Sequence, residues 1–196
     1  HSNQAQVRMG RFLNKEDIQN EYAMMLAAHY LGGGFTSRLM REVRVKGGLT
    51  YSISAVAAAQ KDYGRAVIST FTQDQKIARL LKVIRRTIDK SSAKINKKAL
   101  ERSRGNLIGS YPFQFESPDQ FLSQIMLLDH KLKPLKNLVT FPEKIEEVTL
   151  KEVKKQLAEL YGFSRQTIVI LGNPKLTKYL KEAGIDYKNL SYKKFL

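Results

Sequence analysis

Three consecutive glycines, Gly32, Gly33 and Gly34, interrupt this chain directly after an apolar run and before Phe35-Thr36-Ser37. A helix does not continue through such a run, because residues without Cβ terminate it and let the backbone approach another segment closely. Upstream, Asn14-Lys15-Glu16-Asp17 reads as the opening of a helix with Ile18, Tyr22, Met25 and Leu26 on one face. Downstream, Thr36 or Ser37 is placed to cap a short second helix whose apolar face is Leu39, Met40 and Val43. Arg44 falls in the last turn of that helix. Gly47-Gly48 follows, and Tyr51 stands near the start of the next strand. One cation and one phenol are thus set beside a loop rich in backbone donors, an arrangement suited to a peptide carbonyl or an oxyanion. Each piece alone is ordinary: a glycine helix stop, a cation at a helix C-terminus, a half-buried strand tyrosine.

The rest of the chain alternates between the two periodicities. Residues 4–12 alternate and read as a strand. Two further strands are expected at about 49–59 and 65–72, joined by a turn over Gln60-Lys61-Asp62-Tyr63-Gly64. The cleanest amphipathic stripe, Ile77, Leu80, Leu81, Ile84 and Ile88, predicts a helix from near Asp74. A helix over about 97–110 uses Leu100 and Leu107. Ser117-Pro118-Asp119-Gln120 and Thr149-Leu150-Lys151-Glu152 both read as capping boxes. The first leads a helix bearing Phe121, Leu122, Ile125, Met126 and Leu128, which Pro134 stops at or just before Lys133. The second leads a helix bearing Val153, Leu157 and Leu160. Ile168 to Leu171 is a continuous apolar run, as expected of a buried strand. Gly172-Asn173-Pro174 then turns the chain into a short helix and a polar tail. The order predicts an α+β fold: a mixed, mostly antiparallel sheet packed against a layer of helices, with residues 1–196 forming one domain.

The net charge of +16 raises the question of nucleic acid. The lysines and arginines are dispersed over the polar faces of the expected helices, and no helix-turn-helix, ribonucleoprotein or zinc-finger pattern accompanies them. The expectation is therefore solvated helix faces, with no specific nucleic-acid site. The chain has no cysteine and three histidines, so disulfides and thiolate metal sites are excluded. His29 and His130 each lack a second ligand at zinc-motif spacing, and no metal is expected in this chain. No stretch reaches the ~18 uninterrupted apolar residues of a membrane helix, and no signal peptide is visible. A soluble chain is expected. Residue 1 is His rather than Met, so any targeting signal is expected upstream and the compartment stays open.

Gly-Gly-Gly-Phe-Thr-Ser-Arg-Leu at 32–39, Arg-Glu-Val-Arg at 41–44 and Gly-Leu-Thr-Tyr at 48–51 form a specific combination. It resembles the glycine loop and Arg–Tyr pair in the second domain of pitrilysin-type zinc peptidases, the group of insulin-degrading enzyme and the mitochondrial processing peptidase. The resemblance runs from the strand at Gln4 to that at Thr167–Gly172. The family's zinc motif, His-x-x-Glu-His, is missing. The resemblance therefore implies a division of labour. Another domain, or a partner subunit in a dimer, would hold zinc and its general base. Arg44 and Tyr51 would face it across a closed chamber as catalytic residues, and Gly32, Gly33, Gly34 and Phe35 would line the wall that receives the peptide substrate. This chain alone would then not hydrolyse peptides. The alternatives are a zinc-less partner subunit, or a structural relative of the kind found in respiratory complexes. The presence of both Arg44 and Tyr51 argues against the last.

Overall fold

The computed structural model describes residues 4–190. His1 and the end of the expected polar tail lie outside them. The fold is α+β. Strand β1 (Gln4–Leu13) is followed by helix α1 (Glu21–Gly32), then by the hairpin of β2 (Ile53–Ala59) and β3 (Gly64–Gln73). Helices α2 (Ile77–Asp89), α3 (Ser91–Lys94), α4 (Lys97–Ser110), α5 (Pro118–His130), α6 (Asn137–Glu147) and α7 (Leu150–Tyr161) come next. Strand β4 (Thr167–Leu171) and helix α8 (Leu176–Glu182) finish the order. The strands lie in the order β2-β3-β1-β4, and all three pairings are antiparallel.

Alternation decides which face of the sheet meets the helices. Ala5, Val7 and Met9 of β1, Ile53 and Ala55 of β2, and Ala66 and Ile68 of β3 are buried, while their alternate neighbours face out. Helix α1 lies against β2 and also against α7 and α4, and is the centre of the helical layer. The stripe on α2 behaves as its spacing predicts: Ile77, Leu80, Leu81, Ile84 and Ile88 are all buried. Both capping boxes form, at Ser117–Gln120 and Thr149–Glu152.

Three local expectations need correction. Asn14 and Asp17 do bond reciprocally, at 2.9 and 3.0 Å, but they close a turn rather than open a helix. The same Asp17 carboxylate oxygen also accepts from Arg11 at 2.5 Å, and α1 begins only where the Asn20 side chain accepts from the Ala23 N–H at 3.1 Å. The run 168–171 is not a buried strand. It is the sheet's edge, paired with β1 alone, with Val169 and Leu171 exposed. Continuous apolarity there records one face on the core and one open face. Helix α5 has no buried residue, so Phe121, Leu122 and Met126 form an exposed apolar face rather than core.

Helix α6 was not among the expected elements, because Pro142 sits inside it. Proline there removes the donor that would reach the carbonyl of Leu138. The Tyr111 hydroxyl donates to that same carbonyl at 2.9 Å, so the freed acceptor is satisfied. The Tyr111 ring stacks on Phe141 with centroids 4.0 Å apart, and Tyr22 meets Phe141 edge-on at 6.1 Å, tying α6 to α1.

The connection between α5 and α6 is held to the start of α1 by Glu21, which accepts from Lys131 at 2.6 Å and from Lys133. Burial alone would raise the Glu21 carboxyl. The hydrogen bonds from the two lysines outweigh it and hold the group below its ordinary value. A depressed native pKa means the contribution is complete above the ordinary value of 4.5 and is lost as pH falls through the native one. Glu21→Gln should cost about 2 kcal/mol near neutrality, as for a charged hydrogen bond. It should also flatten the decline in stability below 4.5. Denaturant unfolding from neutral to acid pH checks this, and a variant with the wild-type acid slope counts against the triad.

A second expectation follows from Gly32, where a Cβ would lie 2.2 Å from the backbone nitrogen of Ala55 in β2. Gly32→Ala should destabilise by about 3 kcal/mol, the upper end for overpacking a tight contact. Gly34→Ala, with nothing within 4 Å of its Cβ, should stay within about 0.5 kcal/mol of wild type in the same measurement.

Candidate functional site

The glycine run works by close approach, not by unusual dihedrals. Among the described residues only Gly48 and Gly184 are glycines with positive φ. Gly32 ends α1, buried against Ala55. Gly33 caps the helix, its N–H donating to the His29 carbonyl at 2.8 Å. Gly34 is open to solvent, and Phe35 is 76% exposed. Ser37 does not cap the next helix as expected. Its hydroxyl is buried without a partner, and its carbonyl accepts from the Arg41 N–H at 3.0 Å.

That next helix is a single widened, π-helical turn over Met40–Val45. The Lys46 N–H reaches back five residues to the Arg41 carbonyl at 3.0 Å. The turn ends at Gly48, whose φ of +58° permits the left-handed cap. The Gly48 N–H donates to the Arg44 carbonyl at 2.9 Å and that of Leu49 to the Val43 carbonyl at 3.1 Å. Arg44 is thereby fixed at its backbone, while its guanidinium lies over the Phe35 ring, 5.3 Å from the centroid.

Three buried hydroxyls fix the next segment. Thr72 donates to the Leu49 carbonyl at 2.6 Å, and Thr70 donates to the Ser52 carbonyl at 2.8 Å. The Thr50 hydroxyl donates to the Ser52 carbonyl at 2.9 Å and accepts from the Ser52 N–H at 3.2 Å. The chain from 49 to 52 is thus pinned to β3 by its carbonyls. The Tyr51 side chain points away from this anchor and is 80% exposed.

Arg44 and Tyr51 line one cleft of about 340 Å³, together with Thr50, Phe71, Gln73 and Lys76. The Lys76 Nζ donates to the Gly48 carbonyl at 3.2 Å across its rim. The wall offers a guanidinium, an ammonium and a phenol, which makes it a hydrogen-bond donor site. Gly32 and Gly33 stand behind it as packing and capping residues, and Phe35 reaches it only through Arg44. Lys76, Thr70 and Thr72 were not singled out by sequence. The available signal was polarity at 70 and 72 on the inward face of a strand that is apolar at 66 and 68.

Zinc does not fit this chain's own residues. Among the described residues no three His, Asp or Glu side chains gather. His29 is half-buried with its Nδ1 unpartnered, burial lowers its pKa, and it belongs to no such group. His130 is exposed on α5. No described helix is long and apolar enough to cross a membrane.

The chain is similar to a non-peptidase homolog, YmxG, of Helicobacter pylori, at 29% identity over 84% of this chain and 38% of that protein. It is also similar to an uncharacterized zinc protease of Rickettsia felis, at 30% identity over 46% of this chain and 22% of that one. The chain therefore spans well under half the length of these relatives. Among solved structures it superposes on a peptidase M16 inactive domain from Pseudomonas fluorescens with a TM-score of 0.76 and 25% identity, covering 86% of this chain and 41% of the other. The family model for the peptidase M16 inactive domain matches residues 1–107, more than half of the 196. On that match, carried by the same β1–α1–glycine–Arg44–Tyr51–hairpin–α2 segment whose geometry forms the cleft, this chain belongs to the peptidase M16 inactive domain family.

Proposed function

We propose that this chain completes a peptide-binding site whose zinc is held by another domain or by a partner subunit of the same family. The observation that carries the reading is the single cleft that Arg44 and Tyr51 share. A peptide laid across it would present its backbone carbonyl to two donors whose backbones are fixed in place. The Arg44 guanidinium and the Tyr51 hydroxyl would then donate to the carbonyl oxygen, and would do so more strongly as negative charge develops there. Gly34 and Phe35 lie outside the cleft's lining. Phe35 keeps Arg44 aligned by stacking, while Gly32 and Gly33 act through the packing that sets the wall's position. The dispersed basic charge remains solvated helix surface in this reading, with no specific nucleic-acid partner.

A second reading is favoured by one specific finding. The relative matched over 84% of this chain is named a non-peptidase homolog. In that case the same cleft binds a peptide or a partner segment, and no hydrolysis follows.

Arg44→Ala and Tyr51→Phe in the complete protein, assembled with its zinc-bearing partner, separate the readings. The first predicts a fall in turnover of about 10²–10³ for each variant, the usual cost of one oxyanion donor, with an unchanged melting temperature. Wild-type rates in both variants would refute the role of the pair. A complete, zinc-loaded protein that cleaves no peptide but still binds one through Arg44 and Tyr51 would establish the second reading.

A further inference from the structure

We propose that the cleft selects peptides bearing a free carboxylate, and that Lys76 is the residue that reads it. The inference rests on the peptide-binding reading of the same cleft and adds its specificity. The lining holds two cations, Arg44 and Lys76, and no carboxylate. Among the described residues neither cation has an acidic partner. Arg44 stacks on Phe35, and Lys76 donates only to the neutral carbonyl of Gly48. Neither of the acidic residues closest to them in sequence pairs with Arg44 or Lys76. Glu42 takes Lys46 at 2.9 Å and faces Arg38 at 4.0 Å, and Asp74 is not part of the lining. Two cations facing one cleft without an anion repel each other, and a bound carboxylate relieves that repulsion.

The chemistry divides between them. Arg44 and Tyr51 face the backbone carbonyl. Lys76 lines the same cleft, held at the Gly48 carbonyl, and carries three donors on a flexible stem. One stays on the Gly48 carbonyl and the others are open to a carboxylate. Phe71, projecting outward from β3, gives the cleft an apolar floor for the methylene groups of an acidic residue. The carboxylate can come from a Glu or Asp side chain or from the peptide's own C-terminus. Both present the same charge and the same two acceptors.

The test is an NMR titration of the isotope-labelled chain with three short acetylated peptides. One contains Glu and ends in an amide, one has Gln in its place and ends in an amide, and one has Gln with a free C-terminus. A charge-assisted hydrogen bond corresponds to about a tenfold preference for a carboxylate peptide over the neutral one. Lys76→Gln should reduce that preference below about twofold, and Lys76→Arg should restore it, since the preference follows the charge rather than the shape. Tightening of the Glu peptide alone assigns the carboxylate to a side chain, and tightening of the free-acid peptide alone assigns it to the terminus. Equal affinity for all three peptides, or a preference that survives Lys76→Gln, overturns the inference. The underlying reading fails separately: Arg44→Ala and Tyr51→Phe would then leave affinity for the neutral peptide unchanged, or the amides of residues 49–52 would not shift at millimolar peptide.

Discussion

The close approach of α1 to β2 at Gly32 is the contact on which the rest of the molecule depends. The backbone of Ala55 occupies the space where a side chain at 32 would begin. Helix α1 is also packed against α7 and α4, so it cannot retreat without disturbing the helical layer. The contact therefore fixes where β2 runs relative to the helices. Since Tyr51 stands two residues ahead of β2, it fixes the cleft wall as well. A triple glycine that looks like flexibility serves the opposite purpose at two of its members, because Gly32 holds the helix end and a strand at minimal separation and Gly33 caps the helix.

The second constraint is polar. Between the end of the widened turn and β2, the chain has no regular ladder to satisfy its carbonyls. Thr50, Thr70 and Thr72 supply the missing donors from the interior. A satisfied buried hydroxyl adds only about 1 kcal/mol, but an orphaned one costs about 1–3 kcal/mol, so the arrangement is specific rather than merely stabilising. It orders the segment without using the Tyr51 side chain, which is left exposed. The left-handed Gly48 and the Lys76 ammonium close the same turn from its other side.

The α+β class, the hairpin, the stripe on α2 and both capping boxes were legible because each is a local pattern with one physical cause. The failures were also physical. Asn14 and Asp17 satisfy the rule for a helix start but close an isolated turn, and the cap of α1 is Asn20 instead. Val169 and Leu171 read as core because apolarity does not report which strand is an edge. Helix α6 was missed because Pro142 breaks the pattern, and only the Tyr111 hydroxyl, 27 residues away, repairs the ladder. Arg44, Tyr51 and the glycines were visible as a motif. Their sharing of one cleft with Lys76 was not, since Lys76 reaches Gly48 through a fold contact that no spacing rule encodes. The glycines' division into packing at Gly32, capping at Gly33 and open solvent at Gly34 was equally hidden, because it depends on where Ala55 lies.

The central claim is that Arg44 and Tyr51 form a donor wall for a peptide carbonyl. A crystal structure of the chain with a short extended peptide tests it most directly. The account predicts a backbone carbonyl oxygen within ordinary hydrogen-bond distance, about 2.7–3.2 Å, of both the Arg44 guanidinium and the Tyr51 hydroxyl. It also predicts that the segment from Leu49 to Ser52 stays where its threonine anchors place it. A peptide bound elsewhere on the chain, or in the cleft with no contact to either side chain, would contradict it.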